Sequence, residues 1–441
     1  MRVNVVFIAL LLGATLLAGC GLLEDLGDSA AQTPTAAVPT PTAEATAAPQ
    51  STPDFTVPVT PTQAPMALKL WIPAEVAVRT EAGAAVFAEQ LLAFNARHPD
   101  VAIEVEQKPV SGPGGILSYL RTGRDVAPSV LPDMIAVPTD LLPAAAAESL
   151  VFPLDEQQFS GELEPLFPAA QLFARPQEQV LGYPFALTHL PHLVYNSNVV
   201  TGTLPLTWDR LISDTNRSMV FAADGTDGAL LALQFYLDAG GTLTNELGQA
   251  TLDLEPLTLA LNQLEDGRQS GFILPQSSTV TSQEQAWQVF LLGSANIVRT
   301  SPEQFLTMRS GELPLGFTVT GGIDRPLVPI VNGWAWAIST TDPAERALAV
   351  ELLAELIQPA NLGNWSRENS MVPSRRDAFA AWPDEDIYVR FVRQELERAQ
   401  PLPLILSGRQ FSLISDAVFQ VTSGSKTAEE AAEEAVTAIQ A

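Results

Sequence analysis

LKLWI (68–72) begins the stretch that decides the fold class, because it has the pattern of a short apolar strand. The next segment, EAGAAVFAEQLLAFNARH (81–98), places Phe87 and Phe94 on one face of a helix. VAIEVEQ (101–107) then alternates apolar and polar residues, which is typical of a half-buried strand. Strand, helix and strand at this spacing predict a parallel sheet with right-handed crossovers.

The same alternation continues further along the chain. A helical stretch near 116–121 leads to another apolar strand, DMIAVP (133–138). The segment 66–441 is long enough for two lobes, each with a substantial core. Neither an internal repeat nor a low-complexity linker divides that segment. The sequence therefore predicts an α/β fold whose two lobes are interwoven along the chain.

Two later helices carry clear end signals. In TDPAERALAVELLAELIQP (341–359), Asp342 can cap the helix, Glu345 can complete a capping box, and Pro359 can stop it. TAEE (427–430) repeats the capping-box pattern at the start of a closing helix.

The first residues have the three-part plan of a secretory signal. An apolar run follows Arg2 and ends in the small residues before Cys20, in the sequence LAGC. The run is shorter than the roughly 20 residues that a membrane-spanning helix needs, so we expect a cleaved signal peptide over 1–19. LAGC resembles the bacterial lipobox, in which the cysteine becomes the lipidated first residue. The alternative is a buried free thiol.

The segment 20–65 reads as the lipidated cysteine followed by a tether. Thr, Pro and Ala dominate it, so it has too little apolar surface to offset the entropy of ordering. Cys20 is the only cysteine of the chain, which excludes an internal disulfide.

The net charge of −27 disfavours negatively charged partners. The chain has three lysines, at positions 69, 108 and 426. A surface of this sign repels nucleic acid and anionic lipid headgroups, so we expect neither as a partner. Acidity by itself indicates solubility and does not identify a cationic ligand.

Short motifs along 66–441 follow one another in an order that resembles a known family. They are LKLWIPAE (68–75), FNARHPDVAIEVEQ (94–107), LPDMIAVPTDLL (131–142), VLGYPFALTHLPHLVYN (180–196), LPLTWDRLI (204–212), FLLGSANIV (290–298), VNGWAWAIS (331–339), NSMVPSRRDAF (369–379) and TSGSKTAEEAAEEAVTAIQ (422–440). This order is similar to that of the extracellular solute-binding proteins of ABC importers, in the family that includes maltose-binding and related sugar-binding lipoproteins.

The resemblance implies the two-lobed periplasmic-binding-protein fold of type II, the Venus-flytrap fold, with a hinge near 183–190. It implies a solute, most simply a mono- or oligosaccharide, held in the cleft between the lobes. It also implies ABC permease subunits as partners, a monomeric protein anchored outside the cell membrane by the lipid on Cys20, and no cofactor. The resemblance further implies that the lobes close about the hinge and that the transporter recognises the closed form.

A sugar site needs aromatic rings for the C–H faces and carboxylates, amides or arginine for the hydroxyls. Where the family contacts its ligand, and at neighbouring polar or aromatic positions, the ligand-binding candidates are Trp71, Glu75, Asp140, Phe185, Thr188, Asp227, Arg299, Asn332, Trp334 and Phe411. Asp140 has an alternative role as a helix cap, and Trp334 as a core residue. For Trp208, Trp287 and Trp336 we expect core positions.

The sequence departs from the family at two of these places. RTSPEQF (299–305) has no aromatic residue before Phe305, where the family often has a tryptophan. VNG (331–333) stands where GG is usual. These departures leave open a polyamine or another non-sugar solute, since carboxylates framed by aromatic rings also bind cations.

An enzyme is the remaining alternative, for example a tethered carbohydrate-active enzyme that uses two carboxylates. The chain has no G-x-S-x-G or H-E-x-x-H motif and no phosphate-binding loop, so we expect no catalytic residues. HLPH (189–192) places two histidines close together, but the proline breaks helical spacing and no third ligand is evident, so we expect no metal site.

Overall fold

The computed structural model describes residues 66–77, 79–176, 178–309, 313–403, 406 and 408–441. The predicted signal peptide, Cys20 and the tether lie outside the described residues.

The strands are β1 (Met66–Ile72), β2 (Val101–Gln107), β3 (Met134–Pro138), β4 (Tyr183–His189), β5 (His192–Asn196), β6 (Met219–Val220), β7 (Ile297–Thr300), β8 (Leu315–Thr318), β9 (Ile330–Ile338), β10 (Val372–Pro373) and β11 (Gln400–Pro401). The helices are α1 (Ala74–Ala77), α2 (Glu81–Arg97), α3 (Ile116–Gly123), α4 (Leu142–Ala147), α5 (Glu156–Leu163), α6 (Pro168–Ala174), α7 (Trp208–Ile212), α8 (Thr226–Asp238), α9 (Leu254–Gln269), α10 (Gln283–Leu291), α11 (Pro302–Met308), α12 (Pro343–Leu356), α13 (Pro359–Glu368), α14 (Ile387–Arg398), α15 (Arg409–Ser423) and α16 (Ala428–Gln440). Short 3-10 segments cover Pro128–Val130, Thr139–Leu141, Pro275–Thr279 and Arg376–Ala381.

Within the described residues the strands form two sheets, of seven and four strands. The larger has the order β10-β4-β9-β3-β1-β2, with β11 also paired to β9, and the smaller has the order β6-β7-β5-β8. β1 runs parallel to both β2 and β3, whereas β9 runs antiparallel to β3 and β4. The parallel strand–helix–strand unit predicted from LKLWI is therefore confirmed.

We call the part built on the larger sheet lobe 1 and the part built on the smaller sheet lobe 2. The chain builds β1 to β4 in lobe 1, crosses into lobe 2 for β5 to β8, and returns to lobe 1 with β9 to β11. Only Leu190 and Pro191 join β4 to β5, so the first crossing is short. The lobes are interwoven, and the predicted two-lobed α/β fold is confirmed.

The cores follow from the apolar faces that the sequence placed on each element. Phe87, Leu91 and Phe94 of α2 pack under the larger sheet and are at most 3% exposed. In lobe 2, helices α8, α9, α15 and α16 surround a second core that contains the fully buried Trp208. Trp208 donates its indole N–H to the Gln263 carbonyl at 2.7 Å, which satisfies its polar atom inside the core.

The helix ends agree with the sequence except at two residues. Asp342 caps α12 by accepting from the backbone N–H groups of residues 344 and 345. Glu345 does not close the predicted box, because its carboxylate accepts from the Thr340 hydroxyl at 2.9 Å. α12 already ends at Leu356, so Pro359 opens the next helix instead of stopping this one. The Thr427–Glu430 capping box of α16 is present.

Candidate functional site

A cavity of about 400 Å³ lies between the two lobes. Lobe 1 contributes the end of β4, the middle of β9 and the segment after β1, and lobe 2 contributes the first turns of α8, α10 and α11. Most of the lining residues have polar side chains, although apolar atoms also contribute to the surface. The wall is formed by Glu75, Arg79, Thr188, His189, Ala222, Thr226, Asp227, Leu230, Thr281, Ser282, Gln283, Ser301, Glu303, Gln304, Trp334, Met371 and Leu406.

Four of the residues selected from the sequence line this cavity: Glu75, Thr188, Asp227 and Trp334. Glu75 is exposed, whereas Thr188 and Trp334 are half-buried. Trp334 lies in the middle of β9, opposite Pro138 of β3 and Ala186 of β4. Its side chain packs against the core of lobe 1 and also lines the cavity, so the indole offers an apolar surface there.

Asp227 of the cavity wall forms a buried ion pair with Arg299, which lies behind the wall. Asp227 lies in the first turn of α8. The Arg299 guanidinium donates to the Asp227 carboxylate, to its carbonyl oxygen at 2.8 Å and to Gln234 Oε1 at 2.7 Å. Burial raises the pKa of Asp227, and Arg299 opposes this rise. Arg299 does not line the cavity, so it holds Asp227 in position from behind.

Asn332 and Asp140 connect β9 to the segment after β3. Asn332 accepts from the Thr139 hydroxyl at 2.7 Å and donates to Asp140 at 3.2 Å. The other Asp140 oxygen accepts from the Leu406 N–H at 3.4 Å, and Leu406 lines the cavity. Asp140 makes no cap with α4. The two residues therefore fix the backbone beside Trp334 and do not form the cavity wall themselves.

Position 333, next to Trp334, has no room for a side chain. A Cβ at position 333 would lie 2.7 Å from the Ala186 carbonyl oxygen of β4, so a larger residue would push β9 away. At the preceding position, the Asn332 side-chain oxygen also accepts from the Gly333 N–H at 2.9 Å.

The other three aromatic candidates lie away from the cavity, in the cores. Trp71 packs at 6.0 Å, ring centre to ring centre, against Tyr119. Phe185 stacks on Trp336 at 5.0 Å and meets the edge of Trp365. Phe411 of α15 is 5% exposed in the core of lobe 2. All three are at most 5% exposed and none of them lines the cavity, which differs from the expectation that they contact the solute.

Sequence reasoning missed Arg79 and Glu303, which line the cavity from opposite lobes. Arg79 donates to the Glu303 carbonyl at 2.9 Å and to the Thr307 hydroxyl at 3.3 Å, and so bridges the segment before α2 and helix α11. The signal lay in RTSPEQF, where a carboxylate follows a strand and opens a helix with a proline.

The crossing from β4 to β5 has a strained backbone. His189 and Leu190 have φ angles of 73° and 45°, in the left-handed region that such residues rarely adopt. His192 accepts from the Tyr388 hydroxyl at 3.1 Å and donates its other ring N–H to the Leu190 carbonyl. Burial lowers the pKa of His189 and of His192 to about 4, so both rings are neutral near pH 7.

A cluster suited to a metal ion does not occur among the described residues, since nowhere do three or more His, Cys, Asp or Glu side chains converge suitably. In the same part of the chain, no helix is both long and apolar enough to span a membrane.

Comparison with known proteins identifies the family. Residues 89–387 match the family of bacterial extracellular solute-binding proteins. The chain belongs to this family. The two lobes, the crossing strands and the polar interlobe cavity of this solute-binding protein agree with that membership. No curated protein sequence matches the chain significantly.

Solved structures show the same fold at low sequence identity. The sugar-binding protein MalE from Xanthomonas citri has a TM-score of 0.69 and 17% identity, over 85% of this chain and 96% of its own. Maltose-bound MalE3 from T. maritima has a TM-score of 0.66 and 17% identity, over 85% and 99%. The GacH receptor of Streptomyces glaucescens GLA.O, also solved with acarbose, has a TM-score of 0.65 and 17% identity, over 86% and 98%.

Proposed function

We propose that this solute-binding protein captures a carbohydrate in its interlobe cavity and delivers it to the permease of an ABC importer. The wall of the cavity carries the proposal: one indole face, Trp334, stands among hydroxyl, amide and carboxylate side chains. Such a wall matches a sugar ring, which has an apolar C–H face and a polar edge. Structural neighbours that bind maltose or acarbose support the same solute class.

The delivery step needs a closing motion and a membrane attachment. We propose that the lobes close about the β4–β5 crossing, where the strained backbone of His189 and Leu190 marks a pivot. We propose further that the protein acts as a monomer outside the cell, held to the membrane by lipid on Cys20. The attachment would raise the effective concentration of the protein at its permease.

A thermal-shift panel on the purified full-length protein tests the solute class. The panel contains mono- and oligosaccharides, polyamines and amino acids. A bound ligand at 100 times its Kd stabilises the folded protein by about 2.7 kcal/mol, so its transition moves visibly upward. A shift with saccharides supports the proposal, whereas a shift with polyamines alone overturns the sugar assignment and keeps the fold. Sugar turnover by the pure protein would point instead to an enzyme.

The Trp334→Ala variant should bind the saccharide found in that panel at least about tenfold more weakly, because the ring face is lost. Trp334→Phe should keep most of the affinity, since a smaller ring still offers a flat apolar face. Isothermal titration calorimetry measures both, with Phe419→Ala as a control at a half-exposed aromatic outside the cavity. Equal Kd values for all three variants would remove Trp334 from the site.

A further inference from the structure

Glu303 is placed unusually for a carboxylate. It lies in the first turn of α11, lines the interlobe cavity and is 7% exposed. Burial raises the pKa of this carboxyl group, while the Ser301 hydroxyl, backbone N–H groups and the Arg79 charge oppose the rise. A carboxylate in such a position normally has hydrogen-bond donors around both oxygens.

One oxygen of Glu303 lacks such a donor. Within the part of the chain that the structure describes, Oε1 of Glu303 is buried and has no hydrogen-bond partner. Oδ2 of Asp227, in the wall of the same cavity, is in the same state. Leaving a buried polar atom unpaired destabilises the folded protein. Two such acceptors in one cavity indicate that the missing donors come from a solute.

The rest of the wall limits the size of that solute. Among the described lining residues, Trp334 has the only indole or phenyl ring. The volume of about 400 Å³ is near the lower end of the range for ligand sites, roughly 300–1,000 Å³. One ring face supports the stacking of one sugar ring. A longer oligosaccharide would extend beyond the wall without a second aromatic surface to contact.

We propose that Glu303 is a solute-binding residue and that the solute is a saccharide of one or two rings, stacked on Trp334 and donating a hydroxyl to Glu303. This inference rests on the proposed carbohydrate function and adds to it a specificity residue and a length limit. Asp227 accepts a second hydroxyl through its unpaired oxygen, while Arg299 holds its other oxygen from behind.

The test measures Kd by isothermal titration calorimetry on the full-length protein with glucose, galactose, xylose, maltose, maltotriose and maltoheptaose. We expect a mono- or disaccharide to bind and the two longer maltodextrins to bind no more tightly. Glu303→Gln should weaken binding by roughly 10- to 100-fold, because a hydrogen bond to a charged group is lost. The matched control is Glu284→Gln, an exposed carboxylate on α10 that does not line the cavity, which should leave Kd unchanged.

Deoxy analogues of the bound monosaccharide separate a contact from a purely structural role. The analogue that lacks the hydroxyl facing Glu303 should bind the wild-type protein about tenfold more weakly. It should bind Glu303→Gln as well as the parent sugar does. These measurements on the wild-type protein stand even if the variant folds poorly, which circular dichroism would reveal.

The outcomes distinguish this inference from the function on which it rests. Saccharide binding with equal Kd values for wild type and Glu303→Gln, or a steady gain in affinity with maltodextrin length, overturns the inference and leaves the carbohydrate function intact. If none of the saccharides binds, both are overturned.

Discussion

Replacing Arg299 with methionine is expected to lower the free energy of unfolding by about 3–5 kcal/mol, the usual consequence of breaking a buried ion pair. Arg299 is 0% exposed and Asp227 is 3% exposed, so water cannot replace the lost guanidinium. Methionine fills much of the volume but donates no hydrogen bond. Urea unfolding followed by circular dichroism gives the difference.

The pH dependence of the stability loss gives a second test of the Arg299→Met variant. Burial raises the pKa of Asp227, and without Arg299 only hydrogen bonds from the Gln283 amide and the Ala222 backbone oppose that rise. The variant can then relieve the unpaired charge by protonating Asp227, which is easier at low pH. We therefore expect the loss of stability to be smaller at pH 5 than at pH 8.

Arg325→Met is the matched control. Arg325 pairs at 3.2 Å with Asp238, at the opposite end of the same helix α8, but its side chain is 70% exposed. The Asp238 side chain is 7% exposed, but it keeps its hydrogen bond from the Ile323 N–H at 3.2 Å, and water can replace the exposed guanidinium. This variant should therefore lose much less stability than the Arg299 variant. Equal losses for the two arginine variants would contradict the assignment of Arg299–Asp227 as a buried structural pair.

Asp133 is expected to make the protein less stable as the pH rises from about 4 to about 8. It lies just before β3 and is 4% exposed. Its carboxylate accepts from the backbone N–H of Lys69 at 2.8 Å. Burial raises its pKa to about 7, and the neighbouring Glu345 carboxyl adds to this rise. Asp133 lines a second cavity, of about 460 Å³, on lobe 1. The other charged residues in its wall are Lys69, Arg124, Asp342 and Glu345.

The direction follows from the two states of Asp133. Its ordinary pKa is 3.8, so the folded protein binds this proton more tightly than the unfolded chain does. The resulting stability is fully present below about pH 4 and is lost as the pH rises through about 7. On the order of 3 kcal/mol separates these limits. Urea unfolding at several pH values measures it.

Asp133→Asn tests the assignment. The amide oxygen can still accept from Lys69, and the residue no longer titrates, so the variant should show a flatter profile and exceed the wild type at pH 8. Asp100→Asn is the control, since Asp100 is an exposed carboxylate just before β2 in the same sheet. A wild-type profile unchanged by Asp133→Asn would show that another group causes the pH dependence.

The elements that the sequence predicted best have local causes. α2 begins where Thr80 caps it and repeats its apolar residues with helical period, so its bounds could be read within a residue. β2 was predicted with its observed bounds because apolar and polar residues alternate along it. The Glu345 box failed because the nearby Thr340 hydroxyl binds that carboxylate, a contact that a capping pattern does not contain.

The candidate site was less predictable. Glu75, Thr188, Asp227 and Trp334 line the cavity. The first three are polar residues near the end of a strand or helix, whereas Trp334 lies in the middle of β9. Trp71 and Phe185 lie on strands of the same sheet as Trp334 but turn into cores, because neighbouring residues in a strand point to opposite faces. Which face becomes the cavity depends on where the other lobe lies.

The sequence by itself determined the α/β class, the period of each element and the family resemblance, since these depend on residues close together in the chain. The tertiary structure decided that one cavity is lined by both Arg79 and Glu303, which are more than 200 positions apart in the chain. It also decided that Arg299 reaches Asp227 from behind the cavity wall. The first pair forms because the chain crosses from lobe 1 into lobe 2, and the second because β7 lies against the start of α8 within lobe 2. A local pattern carries no information about partners that folding brings together from distant segments.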